Sequence, residues 1–197
     1  GGFLSLFKRA DPKAFEQMIL PLERQVYFTC LQLMGNKEDA EDCAQEALLK
    51  AYRKFDSFKG QSKFSTWLYT LTTRVCMDAL RKRREIYSLD LLREEGFEVS
   101  SDEAELYLQL EEKDRKAALR EGIKQLPPDF RAALVLVDLQ GLPYQEAAQA
   151  LDVPEGTVKS RVNRARKALY KILLENRELF LGDARLNDER RERNELS

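Results

Sequence analysis

The chain has 197 residues and a formal net charge of −1, which suits one ordinary domain or two small ones. Charged residues make up 34% of it, glycine and proline are few, and long stretches rich in Ala, Leu, Glu, Lys and Arg favour an all-α fold. Histidine is absent, and with it the commonest general base and the commonest nitrogen ligand of zinc. We therefore expect no metal or catalytic-triad chemistry, and the chain as a whole predicts no enzyme, no cofactor and no small-molecule substrate.

Two further features predict a soluble cytoplasmic protein. No apolar run approaches the roughly 18 to 20 residues that span a bilayer, and no signal segment opens the chain. The three cysteines, Cys30, Cys43 and Cys76, are odd in number, widely separated and placed in helical patterns. They are expected to be buried, reduced thiols.

Charge is arranged in three blocks. In residues 59–84 seven cations face one acid, a net charge of +6, and in residues 154–171 six cations face one acid, a net charge of +5. Between them, residues 85–115 hold eleven acids and three cations, a net charge of −8. The overall charge therefore conceals two basic surfaces, which suit nucleic acid, separated by an acidic connector.

Three helices are predicted in a first domain, residues 3–85. The first helix covers residues 11–34, where apolar residues recur at three- and four-residue spacing, with a break or kink at Pro21. Asn36 is placed to cap a second helix, whose first turn is acidic. After a glycine-containing loop, the third helix covers residues 64–84.

The third helix has two different faces. Its apolar face carries Phe64, Trp67, Leu68, Leu71, Val75 and Ala79. Its opposite face, predicted to be exposed, is polar and basic and carries Thr66, Thr70, Thr73, Arg74, Met77, Arg81 and Arg84. Trp67 invites a hypothesis of stacking on a nucleic-acid base, but its place on the apolar face favours core packing.

The chain then divides into three further parts. Residues 86–105 lose helical periodicity and are rich in acids, which predicts an acidic linker over residues 86–110 that is flexible or weakly helical. Helical patterns resume in a second domain, residues 111–180. Residues 181–197 are nearly all polar, which predicts a disordered tail.

A basic helix-turn-helix is predicted near the end of the second domain, around residues 143–171. A short helix follows Pro143, Asp152 and Val153 make the turn, and Pro154 suits the first position of the second helix. On a helical wheel the second helix buries one side and projects donors and cations from the other. The inward residues are Val158, Val162, Ala165 and Leu169, and the outward residues are Lys159, Ser160, Asn163, Arg164 and Lys167.

Such a helix fits the major groove of DNA, where its outward groups can bind base edges while Arg161 and Arg166 reach phosphates. A lone basic helix would more often be a solvated surface, but the preceding helix and turn favour DNA binding. A helix-turn-helix also fits a self-sufficient repressor or activator that dimerises on a palindromic site, and this alternative stays open. A hydrolase or transferase is disfavoured because no phosphate loop, nucleophile motif or clustered metal ligands are present.

Four short segments resemble one known family: DAEDCAQEA at residues 39–47, FSTWLY at 64–69, LPPDFR at 126–131 and GTVKSRV at 156–162. The first two resemble region 2, and the last two region 4, of the extracytoplasmic-function sigma factors of bacterial RNA polymerase, group IV of the sigma-70 superfamily. The resemblance covers roughly residues 10–175, with all blocks in order. It implies an alternative sigma factor with two small helical domains, a region 2 bundle and a region 4 helix-turn-helix, which directs promoter-specific initiation.

The resemblance also implies the partners and the residues that contact them. The clamp coiled coil of the polymerase beta-prime subunit would bind Asp39, Glu41, Asp42, Gln45 and Glu46. The minus-35 element would be bound by Thr157, Lys159, Ser160, Arg161, Asn163, Arg164, Arg166 and Lys167. Melted minus-10 DNA would be held by Lys59, Gly60, Gln61, Ser62, Lys63, Thr70, Thr73, Arg74, Met77, Arg81 and Arg84. Relatives also contact the beta flap of the polymerase and are commonly inhibited by an anti-sigma factor, often a membrane-bound one.

Several points stay open. Relatives often carry Asn where this chain has Arg74, so this residue either contacts a phosphate or reads a base. Gly is common at the turn position of Asp152, a mild departure because Asp tolerates left-handed backbone. The acids of the second helix could simply stabilise its N-terminus. The acidic linker is either a solvating spacer or an imitation of nucleic acid in the RNA exit path, and it could also shield the basic faces of the free protein.

Overall fold

A computed structural model describes residues 12–83, 92–93 and 112–176. The helices are α1 (Pro12–Ile19), α2 (Glu23–Met34), α3 (Lys37–Lys54), α4 (Phe64–Arg83), α5 (Glu112–Gln125), α6 (Pro128–Leu134), α7 (Tyr144–Leu151) and α8 (Glu155–Glu175). The described ranges contain no β-strand, and the predicted all-α class is confirmed. None of the described helices is long and apolar enough to span a membrane. Arg84, the polar tail and nearly all of the acidic linker lie outside the described residues.

Local backbone chemistry sets the ends of the first three helices. Pro21 lies in a 3-10 turn, Leu20–Leu22, which separates α1 from α2 as predicted. Gly35 ends α2 at φ +81°, a left-handed conformation that glycine adopts without steric penalty. The side chain of Asn36 then accepts a hydrogen bond of 2.9 Å from the backbone N–H of Asp39, which confirms its role as the cap of α3.

Helices α2, α3 and α4 pack around an apolar core that contains all three cysteines. Cys30, Cys43 and Cys76 are free and buried, as predicted. The Cys76 thiol donates a hydrogen bond to the Cys30 sulfur at 3.6 Å. Hydrogen bonds with Cys30 and Cys43, together with burial, raise the pKa of Cys76 and keep its thiol protonated.

An aromatic cluster closes this core where α4 begins. The ring of Phe58 lies 5.5 Å from that of Phe64 and 5.4 Å from that of Trp67, measured between centroids. Phe64 and Trp67 are themselves 5.5 Å apart. Trp67 therefore packs on the core, as its place on the apolar face predicted, and Phe58 anchors the start of the loop that leads into α4.

Helices α5 to α8 form a second unit. Helix α6 begins at Pro128 and continues into a π-helical segment, Val135–Leu139, which the sequence pattern did not predict. Helices α7 and α8 form the predicted helix-turn-helix, and Asp152 takes φ +54° at its turn. Pro154 is the cap of α8 and not its first helical residue, because its ψ of 149° is extended and α8 begins at the next residue.

The two units pack against each other along a continuous apolar core. Helix α7 lies against α4, and α2 contacts α5, α6 and the π-helical segment. Gln140 Nε2 donates to Thr29 Oγ1 at 2.7 Å, and the buried guanidinium of Arg131 donates to the carbonyl of Leu33. These pairs lie 111 and 98 positions apart in the chain. Helical periodicity carries no information about contacts between residues so far apart in the chain. The sequence therefore predicted two domains joined by a linker but did not predict this interface.

Candidate nucleic-acid interface

Helix α8 has one buried face and one exposed basic face. Val158, Val162 and Ala165 are fully buried and Leu169 is half-buried, as the helical wheel predicted. Helices α6 and α7 pack on α8 and set its rotation, so that its donors and cations face away from the core. The exposed residues are Lys159, Ser160, Asn163, Arg164, Arg166 and Lys167, while Thr157 and Arg161 are half-buried.

Acidic neighbours orient part of this basic face. Arg166 donates two hydrogen bonds to Asp138, of 2.7 and 2.5 Å, and this pairing raises the pKa of the guanidinium. Lys159 Nζ lies 3.2 Å from Glu155 and 5.5 Å from the centroid of the Tyr144 ring. Arg166, predicted to contact a phosphate, is therefore held by Asp138 in this structure.

A second basic surface surrounds the start and the outer edge of α4. The loop residues Lys59, Gly60, Gln61 and Lys63 are exposed, and Ser62 is half-buried. Gly60 takes φ +69°, which turns the loop where a residue with a side chain would be strained. Arg74 and Arg81 are exposed on α4, and Arg81 pairs with Asp78 at 3.1 Å. Arg84 lies outside the described residues.

The remaining polar face of α4 is withdrawn from solvent, in part by contact with the second unit. Thr66, Thr73 and Met77 are buried, and Tyr69 and Thr70 are half-buried. The prediction that this face is exposed is therefore wrong for Thr66, Thr73 and Met77. For Thr66 the physical reason is the contact with α7, across which its hydroxyl donates to Glu146 Oε2 at 2.7 Å. Met77 belongs to the apolar core. Burial also raises the pKa of Tyr69.

The acidic face of α3 is exposed, except for Asp39 near the start of the helix. Glu41, Asp42, Gln45 and Glu46 are exposed, whereas Asp39 is half-buried. Asp39 accepts hydrogen bonds from the Asn36 side chain, at 2.7 Å, and from the guanidinium of Arg83. Arg83 also donates to the carbonyl of Met34 at 2.9 Å. Asp39 thus ties the start of α3 to the end of α4.

Two apolar residues extend the acidic face of α3, and the predicted site did not include them. Leu49 and Tyr52 are 50% and 40% exposed. They follow Asp42 and Gln45 at three- and four-residue spacing, which places all four side chains on one side of the helix. This spacing is the sequence signal that could have identified Leu49 as part of the site, because it is an apolar residue outside the buried face of the helix.

The three surfaces suit charged polymers and a protein partner. Two basic surfaces with exposed hydrogen-bond donors can bind a polyanion, and an acidic helix face with exposed apolar residues can bind a basic protein. Among the described residues, no group of three or more His, Cys, Asp or Glu side chains is arranged to hold a metal ion.

Both halves of the chain match known families. The Sigma-70 region 2 family matches residues 18–86, and the Sigma-70, region 4 family matches residues 108–169. A helical region 2 followed by a region 4 helix-turn-helix defines a sigma factor, a class of non-catalytic transcription initiation factor. This is the class that the sequence motifs predicted.

Individual relatives place the chain more narrowly within that class. The ECF RNA polymerase sigma factor SigW of Bacillus subtilis is 34% identical over 177 residues, which cover 84% of this chain and 92% of the relative. The ECF RNA polymerase sigma-E factor of Escherichia coli K12 is 36% identical over 169 residues, covering 82% and 87%. The chain belongs to the extracytoplasmic-function sigma factors.

A solved structure has the same fold. It contains the sigma factor RpoE of Bartonella quintana in complex with the anti-sigma factor NepR. It superposes with a TM-score of 0.62 at 28% sequence identity and covers 82% of this chain and 97% of that chain.

Proposed function

We propose that this sigma factor acts as a dissociable specificity subunit of core RNA polymerase. Helix α8 binds the minus-35 element in the major groove, and α4 with its preceding loop holds melted minus-10 DNA. Helix α3 binds the clamp coiled coil of the beta-prime subunit, and the second unit contacts the beta flap. The protein has no catalytic activity and works in the cytoplasm, where the polymerase does the chemistry.

The exposed face of α8 is the observation that carries this proposal. Its inner face is buried in the core and packs against α6 and α7, so its outer face has one fixed orientation. Ser160, Asn163 and Arg164 offer donors suited to base edges, and Arg most often binds guanine with two hydrogen bonds. The flanking cations of the same helix suit phosphates on either side of the groove.

The loop before α4 supports the minus-10 assignment. Lys59 and Lys63 bring positive charge, and Gln61 and the half-buried Ser62 supply hydrogen-bonding groups beside them. Phe58 fixes the start of the loop to the aromatic cluster. A polar, cationic loop on a rigid support suits a single strand whose bases have left the duplex.

The acidic and apolar face of α3 supports the polymerase assignment. Acids such as Asp42 steer a basic partner surface toward the helix, whereas the exposed part of Leu49 offers apolar area for the contact itself. We assign Asp39 mainly to the folded structure, because Arg83 and Asn36 already engage its carboxylate.

The RpoE complex supports control by an anti-sigma factor. That relative superposes over most of this chain and is bound to the anti-sigma factor NepR. We therefore extend the proposal to an anti-sigma protein that covers both basic surfaces of this chain. In line with the family resemblance, such a protein is often anchored in the membrane.

Replacing Arg164 tests the assignment of α8. We expect Arg164→Ala to weaken promoter-specific run-off transcription with core polymerase by about 1 to 3 kcal/mol, because a base contact is lost. Lys116→Ala, which removes one exposed cation from α5, is the matched control and should leave transcription unchanged. An unaltered promoter preference in Arg164→Ala would refute the assignment. Tight, specific binding of duplex promoter without polymerase would instead support a stand-alone regulator.

A further inference from the structure

A cleft of about 290 Å³ lies between the two units. The first unit lines it with the end of α2 and the start of α3, and the second unit lines it with one side of α5. None of the residues that the proposed function assigns to DNA or polymerase lines this inter-unit cleft. Ligand pockets commonly have volumes of about 300 to 1,000 Å³, so the volume of the inter-unit cleft suits a small ligand.

The inter-unit cleft is lined by three cations and one acid, a net charge of +2. The cations are Lys37 of the first unit and Arg120 and Lys124 of the second, and the acid is Glu121. Glu121 accepts a hydrogen bond of 2.9 Å from Lys124. Arg120 is exposed, and within the described ranges its guanidinium has no ion-pair or hydrogen-bond partner. A free guanidinium beside two lysines suits an anion that carries more than one charge.

Gln32 adds an unpaired polar group to the wall of the inter-unit cleft. It is only 7% exposed, and its side-chain amide has no hydrogen-bond partner among the residues that the structure describes. Buried polar groups are normally hydrogen-bonded, because leaving water without a new partner is unfavourable. The amide of Gln32 can donate two hydrogen bonds, and a polar ligand in the cleft would accept them.

The start of α3 brings backbone N–H groups to the same wall. The first intrahelical hydrogen bond of α3 is donated by Ala40 to the carbonyl of Asn36, so the N–H groups of Lys37 and Glu38 precede it. Such groups favour an anion at the N-terminus of a helix. The carboxylates of Glu38 and Asp39 offset part of this attraction, but neither residue lines the cleft. Asp39 is also engaged by the guanidinium of Arg83.

Lys124 reaches the first unit because Gly35 has no side chain. A Cβ atom at Gly35 would lie only 2.9 Å from Cγ of Lys124, so the stem of the lysine packs directly on the Gly35 backbone. This close approach brings α5 against the turn between α2 and α3. Cations from both units therefore line one cleft.

We propose that the inter-unit cleft binds the phosphate groups of a small phosphorylated molecule, either a free diphosphate or a nucleotide. The guanidinium of Arg120 donates paired hydrogen bonds to phosphate oxygens, and the two lysines neutralise the remaining charge. The amide of Gln32 donates to a further oxygen. A diphosphate has both the charge and the number of acceptors that these groups require. Because both units supply the site, the ligand stabilises their packing against each other.

Isothermal titration calorimetry of the full chain with sodium pyrophosphate tests this inference. We expect Arg120→Ala to weaken the affinity by about tenfold or more, because charge-assisted hydrogen bonds are lost. Gln32→Leu keeps a side chain of similar size in the wall of the cleft, removes the amide and should weaken the affinity by about threefold or more. Arg53→Ala removes an exposed guanidinium near the other end of α3 and should change the affinity by less than about twofold.

Two further ligands distinguish the sources of the phosphate and test its necessity. Tighter binding of ATP than of pyrophosphate would support a nucleotide as the ligand, and equal binding would support a diphosphate group alone. Citrate, which carries carboxylates only, should bind at least about tenfold more weakly than pyrophosphate. Citrate binding as tight as pyrophosphate binding would overturn the phosphate assignment.

The variants also show where pyrophosphate binds. No binding by the parent chain would overturn the inference, as would equal losses of affinity in Arg120→Ala and Arg53→Ala. A larger loss in Arg164→Ala than in Arg120→Ala would also overturn it, because the anion would then lie on the basic face of α8. Thermal unfolding provides the second readout: pyrophosphate should raise the melting temperature of the parent chain and of Arg53→Ala more than that of Arg120→Ala.

Discussion

At the scale of single residues, Asn36 marks the boundary between α2 and α3. Its side chain accepts from the Asp39 N–H at 2.9 Å and donates to the Asp39 carboxylate at 2.7 Å. We predict that Asn36→Ala lowers the free energy of unfolding by about 0.5 to 2 kcal/mol, measured by urea denaturation, because a cap is lost. Asn36→Ser keeps an accepting oxygen and a donor at this position and should retain most of that stability. Equal losses in both variants would show that capping is not the cause.

Asp152 occupies the turn of the helix-turn-helix at φ +54°. This conformation is unfavourable by roughly 1 to 2 kcal/mol for most L-residues, by less for Asp, and by almost nothing for Gly. We predict that Asp152→Ala lowers the free energy of unfolding by about 1 kcal/mol, whereas Asp152→Gly stays within about 0.5 kcal/mol of the parent chain. Thermal unfolding of the three proteins checks the order. Similar melting temperatures for the Ala and Gly variants would contradict it.

Residues with local roles could be predicted from the sequence, and residues with distant partners could not. Asn36 and Asp152 act through backbone groups within a few positions, so their residue types were sufficient. Arg131 is only 2% exposed because carbonyls from both units surround it. Nothing in its sequence neighbourhood indicates burial, since arginine is seldom buried without partners.

At the scale of helices, the predicted pattern of buried and exposed residues is correct for α8, whereas for α4 it is correct only on the apolar face. The inner face of α8 is buried by its neighbours within the same unit, so its periodicity was enough to identify the exposed residues. The apolar face of α4 was also correct. Its polar face carries threonines, which a second helix can cover, and Thr66 is buried by α7 from 80 positions further along the chain.

The pairing of Arg166 with Asp138 gives a prediction for α8. Asp138→Asn removes the carboxylate that now engages this guanidinium, so Arg166 becomes available to a DNA phosphate. We expect the logarithm of duplex affinity to fall more steeply with the logarithm of salt concentration, by about one additional unit of slope. Glu121→Gln removes a carboxylate that pairs with Lys124 on α5 and should leave the slope unchanged. A slope in Asp138→Asn equal to that of the parent would contradict this role.

At the scale of the whole molecule, the two units of the described residues pack against each other and present three charged surfaces. The α8 face and the loop before α4 are basic, and the face of α3 is acidic with exposed Leu49. The sequence predicted the charge of these surfaces and the family, because charge blocks and motifs are local, but it did not predict the exposed Leu49. The packing of the two units against each other could not be predicted, since it depends on which helix faces fit together between residues far apart in the chain.

The central claim is that the chain directs core polymerase to promoters by two separate DNA contacts. The most direct test is run-off transcription by purified core polymerase, with and without this protein, on a library of templates with randomised upstream sequence. We predict that initiation requires the protein and that the transcribed templates share two short sequence blocks at a fixed spacing. Absence of initiation on every template, or selection of a single palindromic block, would contradict the claim.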